Sequence, residues 1–143
     1  MEVTEVLSIQ EYWNDPRFKS KKPILNGSLP LIYGDNFYHL DSSGNWVQED
    51  SAHSNRDGTP NLEHLKTDIS GENSIISDHF FYFGQSAPEL PKALHSVCHT
   101  GIGQKLLPAE IGSEFISWLT DHYEPKIHGK PINWIIYNQL RLF

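Results

Sequence analysis

Asp35, His39 and His53 are of residue types suited to moving protons. A carboxylate near an imidazole supplies a general acid–base pair that works close to neutral pH. If the segment around them is extended, Asp35 and His39 lie about 13 Å apart and His39 and Asp41 about 7 Å, too far for direct hydrogen bonds. Each would then line a pocket with partners drawn from elsewhere. His95 and His99, with Cys98 between them, have the spacing that puts two imidazoles on one helix face, as a zinc site requires. Gly101 and Gly103 argue that any helix ends there, and no carboxylate sits at a fixed partner spacing, so we expect neither a metal nor a cofactor. No nucleophile elbow, phosphate-binding glycine loop or zinc-deaminase signature is present.

Ring and charge patterns point to binding more than to catalysis. Tyr33, Tyr38, Trp46 and Tyr82 combine flat faces with polar tips, the side chains that stack on a flipped or unpaired base. Asp35, Asn36 and His39 are placed to read the hydrogen-bonding edge of such a base. Ordinary core packing competes for every one of these rings. Arg17, Lys19, Lys21 and Lys22 put four positive charges into six residues with no acid among them. The remaining seven basic and eighteen acidic residues leave the rest of the chain at −11. One basic patch on an acidic body orients a phosphate-bearing ligand, whereas the net charge of −7 opposes wholesale coating of nucleic acid. A solvated lysine-rich loop gives the same pattern.

The elements that must position these residues follow from local signals. Glu2 to Leu7 alternates weakly and reads as a short strand. Ser8 followed by Glu11 fits a capping box, so a helix of one or two turns runs through Tyr12 and Trp13 and stops near Asp15, before Pro16. Lys19 to Pro30 reads as loop. Phe37 to Leu40 and Trp46 to Glu49 are strands joined by Asp41, Ser42, Ser43, Gly44 and Asn45, residue types that close a hairpin. Ser51 to Pro60 is a long polar loop, and Asn61 to Lys66 a helical turn. Phe80 to Phe83, four consecutive aromatics bounded by Gly84, reads as a central strand buried on both faces. Pro88 to Val97 forms a short helix, and Pro108 to Tyr123 a longer one with Ile111, Phe115, Trp118, Leu119 and His122 at helical spacing. Ile132 to Phe143 is apolar on nearly all sides.

At 143 residues, 38% apolar and 12% aromatic, the chain is expected to form one domain with an aromatic-heavy core. No run approaches the ~20 apolar residues of a membrane span. A single cysteine excludes an internal disulfide and fits a reducing, cytoplasmic setting.

Six blocks carry a family resemblance: VTEVLS, EYWNDPRF, YGDNFYH, GNWVQEDSAHS, SDHFFYFGQSAPELP and HGKPINW. Together they resemble the later motifs of the bacterial and phage nucleotide-modification-associated domain, type 2, from about Val3 to Trp134. The strand followed by D-P-R-F is also similar to EVE and other PUA-like barrels, which bind modified bases in an aromatic pocket. The resemblance implies an α+β fold, with a small PUA-like sheet or partial barrel covered by two or three helices. It implies recognition of a modified nucleotide or base in nucleic acid, in a setting of DNA modification or phage defence. The alternative is a nucleotide-modifying enzyme using Asp35, His39 and His53 around the same pocket. Relative to the family, an upstream segment with further strands is expected to be missing. Ile102 and Gln104 stand where the family carries polar residues. A sheet opened in this way would pair with a second copy or with a strand from a partner, or be covered by Ile132 to Phe143.

Overall fold

A computed structural model describes residues 1–99, 101 and 105–132. The chain divides into two compact units, Val3–Ser77 and Met1–Glu2 with Asp78–Phe143.

In the first unit, strand β1 (Glu5–Ser8) runs directly into helix α1 (Ile9–Asn14). Ser8 switches the chain: its Oγ accepts from Glu11 N at 3.2 Å, and Glu11 Oε2 accepts from Ser8 N at 2.8 Å. The expected capping box therefore starts α1, and Asp15 ends it in an extended conformation ahead of Pro16. Asp15 then accepts from Arg17 N and starts a 3₁₀ helix, Pro16–Lys21. That turn and the short helix α2 (Leu29–Ile32) occupy a stretch whose prolines read as loop.

Strands β2 (Tyr38–Leu40) and β3 (Trp46–Gln48) form an antiparallel hairpin with Tyr38 opposite Gln48 and Leu40 opposite Trp46. Asp41 Oδ1 closes it by accepting from Ser43 N and Asn45 N, while Gly44 takes the left-handed conformation at φ +80. Helix α3 (Leu62–Ile69) is capped by Asn61 and is longer than the single turn expected. Strand β4 (Asn73–Ile76) pairs antiparallel with β1, Glu5 facing Ile76. The core around α1 is small and partly polar, with Tyr12, Phe37, Tyr38, Asn36 and Gln48 buried.

The second unit corrects the reading of Phe80 to Phe83. These residues are not a central strand. Within them only Tyr82 makes a one-residue bridge, to Ile127, and Tyr82 is exposed; the neighbouring His79 bridges to Glu2. Two of the rings pack on partners outside any sheet: Phe83 stacks on His128 and meets Tyr123 edge-on, and Phe81 meets His79 edge-on. Residues 82–85 lie against 126–130 through Tyr82 N to Lys126 O, His128 N to Tyr82 O and Gln85 N to Lys130 O. A side chain on Gly84 would collide with the Lys130 carbonyl, and one on Gly129 with the Phe83 carbonyl, so glycine permits this close approach.

Only Lys92–Val97 of the expected 88–97 helix is helical, as a 3₁₀ turn. Helix α4 (Ala109–His122) matches the longest helical pattern in the sequence.

The class is α+β, with antiparallel sheet present as two separate two-stranded pairs that do not close into a barrel among the described residues. No helix among the described residues is long and apolar enough to cross a membrane. The expected cover by 132–143, and the comparison at Ile102 and Gln104, fall outside the described residues except for the exposed Ile132.

Candidate functional site

The site is built on the turn that leads into β2. Tyr12, buried on α1, donates its hydroxyl to Asp35 Oδ1 at 2.8 Å. Burial, and then the Asp35 carboxylate, hold that phenol above the usual tyrosine range. Asn36 is 2% exposed and its amide donates to the carbonyls of Tyr12 and Phe18. Its amide therefore ties the turn to α1 instead of facing a ligand. Gly34 completes the anchor: any Cβ there would strike the Lys21 carbonyl and lie 2.7 Å from Pro23 N. The 33–36 turn thus lies flat against the 21–23 backbone, with Asn36 N bonded to Lys21 O at 3.1 Å.

This arrangement opens a cleft of about 300 Å³ lined by Tyr33, Asp35, Phe37, Tyr38, His53 and Asp68. Tyr33 is 51% exposed. An adjoining groove of about 250 Å³ shares Tyr33, Gly34 and Asp35 and adds Ser20 and Lys21. Tyr33 thus lines both depressions, one with Lys21 in its lining and the other with His53 and Asp68.

Within the cleft, Asp68 Oδ2 accepts from the Tyr38 hydroxyl at 2.6 Å and lies 3.1 Å from His53 Nδ1. Burial, reinforced by Asp68, raises the Tyr38 phenol above its ordinary range. Gln48 Nε2 donates to the same hydroxyl, and Gln48 Oε1 accepts from Asn61 N at the start of α3. The hairpin and α3 are joined by this polar chain. A His53 proton held on Nδ1 by Asp68 leaves Nε2 as the basic nitrogen.

The other sequence candidates are dispersed. Adjacent strand residues point to opposite faces, so His39 leaves the cleft that Tyr38 lines. Its ring stacks on Trp13 at 4.2 Å, and its Nε2 lies 2.8 Å from Glu49 Oε1. Trp46 stands opposite Leu40 in the hairpin and does not line the cleft. Tyr82 belongs to the other unit. Arg17 is held by two carboxylates, Glu5 at 2.9 Å and Asp15 at 2.6 Å. Lys19 is exposed, and Lys22 lies over the Trp13 ring. His95 and His99 do not share a helical face, because the 3₁₀ turn ends at Cys98. Among the described residues, no three side chains of metal-ligating type converge.

Sequence reasoning missed Asp68 and Gln48. Asp68 meets partners 15 and 30 residues away, and no local spacing signals such a contact.

A larger cavity, about 590 Å³, lies in the second unit among Phe83, Leu90, Phe115, Trp118 and Leu119. His95 and Cys98 are its polar-tipped members, and His95 Nε2 lies 3.1 Å from Leu90 O. Its walls carry neither a carboxylate nor a cation, so size alone does not make it the better candidate.

Fold and site together define an α+β protein with an aromatic, hydrogen-bonding cleft beside a lysine. A family model described as nucleotide modification associated domain 2 matches residues 1–138, and the chain belongs to that family. Comparisons with curated proteins and with solved structures return no match.

Proposed function

We propose that the Tyr33–Tyr38 cleft binds a nucleotide or nucleobase, and that it recognises a modified base in nucleic acid. The observation that carries this reading is the position of Tyr33, shared by two adjoining depressions with different chemistry. A base stacked on its ring meets Asp35, His53 and Asp68 on the cleft side, acceptors and a switchable donor suited to a base edge. On the groove side, Lys21 supplies the charge that holds a phosphate. Membership of a family associated with nucleotide modification supports the same ligand class.

Calorimetric titration with a nucleoside and its 5′-monophosphate tests this. Both bind, the monophosphate more tightly, and Lys21→Ala removes only the advantage of the monophosphate. Equal binding of the two by the native chain, or none, overturns the reading.

The His53–Asp68 pair favours a second reading, in which the cleft also transfers a proton to or from its ligand. A carboxylate that orients an imidazole is a recurrent part of such sites.

A further inference from the structure

The opposite face of the β2–β3 hairpin carries a second pocket, about 520 Å³, lined by Trp13, Lys22, Pro23, Leu25, Glu49 and Asp50. One occupant is already present. Lys22 Nζ lies 3.2 Å from the centroid of the Trp13 ring, a cation resting on an aromatic face. Among the described residues this ammonium makes no hydrogen bond and no ion pair, so the ring is its principal contact. Desolvation lowers its pKa, and the nearby Glu49 charge works the other way.

The ring itself is held firmly. Trp13 belongs to α1 and stacks on His39, whose Nε2 lies beside Glu49. The Lys22 backbone is fixed as well, by its N–H bond to Lys19 O and by Pro23 after it. Only the four-carbon stem is free to swing. An aromatic face in a pocket that also counts Glu49 and Asp50 in its lining is a composition that takes an alkylated ammonium group.

We infer that the Trp13 pocket is a binding site for the alkylammonium group of a ligand, with the Lys22 side chain as a displaceable resident in its place. The inference is independent of the nucleotide cleft, because the two sites share no lining residue.

The test uses n-butylammonium and n-butanol as probes, read by the Trp13 indole N–H resonance. In Lys22→Met, which keeps an apolar stem without the charge, butylammonium moves that resonance with saturation at a concentration at least tenfold below that needed in the native chain. Butanol moves it far less. Equal responses to the two probes, or no response in folded Lys22→Met, overturn the proposal. Should that variant not fold, the native chain decides. Bound butylammonium releases Lys22, and its side-chain methylene resonances leave their ring-shifted positions. Methylenes that stay in place at saturating probe contradict the displacement.

Discussion

The Tyr38 hydroxyl donates a 2.6 Å hydrogen bond to Asp68 Oδ2, joining the hairpin to α3 across 30 residues of sequence. Tyr38 is buried, so its hydroxyl depends on that acceptor. Asp68→Ala is expected to destabilise the fold by about 1–3 kcal/mol, the cost of a buried polar group left without its partner. A urea midpoint measures it, and an unchanged midpoint would show that the bond contributes nothing.

The same geometry sets an alkaline limit. Tyr12 and Tyr38 have folded pKa values raised above the ordinary 10.0, by burial first and then by Asp35 and Asp68. A raised folded pKa gives stability that is fully present below the unfolded pKa and lost as pH rises. The unfolding temperature should therefore fall above about pH 10. The double variant Tyr12→Phe/Tyr38→Phe should show a flatter decline.

Acid acts through different groups. Hydrogen bonds from Arg17 hold Glu5 and Asp15 below their ordinary values of 4.5 and 3.8. Lowered folded pKa values give stability that is present above those ordinary values and lost as pH falls through the folded ones. Glu5→Gln should reduce the acid loss of stability seen in a pH series of melting curves. All three side chains are at least partly exposed, so high salt should weaken the effect too.

Gly34→Ala tests the anchor under the cleft. The added methyl meets backbone at Lys21 and Pro23, which cannot swing aside as a side chain does. A loss of about 1–3 kcal/mol is expected. Lys21 should move with it, weakening binding of a 5′-monophosphate more than binding of a nucleoside.

What was legible in the sequence was local. Ser8, Glu11 and Pro16 mark both ends of α1 within nine residues, because caps and proline act on their immediate neighbours. Asp41 and Gly44 specify the hairpin turn in the same way. Helix α4 shows itself by periodicity alone. The error at Phe80 to Phe83 came from treating aromatic density as strand burial. Tyr123 and His128, 40 or more residues along the chain, provide rings for Phe83 without a sheet. Of the residues that line the Tyr33–Tyr38 cleft, Tyr33, Asp35, Tyr38 and His53 have the types that the sequence singles out. Asp68 is not singled out, since only the fold brings α3 to them.

Salt dependence separates the cations. Arg17 is neutralised by its carboxylates and Lys22 rests on Trp13, whereas Lys21 lines the groove beside Tyr33. Lys21→Ala should flatten the salt slope of single-strand binding by about 0.7. Arg17→Ala should leave the slope unchanged.

The central claim is that Tyr33 stacks on a base. Fluorescence anisotropy with a short single-stranded oligonucleotide, carrying a modified base or its plain counterpart, tests it most directly. The account predicts tighter binding of the modified strand, and a loss of about 1–3 kcal/mol for Tyr33→Ala at an unchanged unfolding temperature. An unaltered Kd in that variant, or a loss of binding matched by a loss of stability, would contradict it.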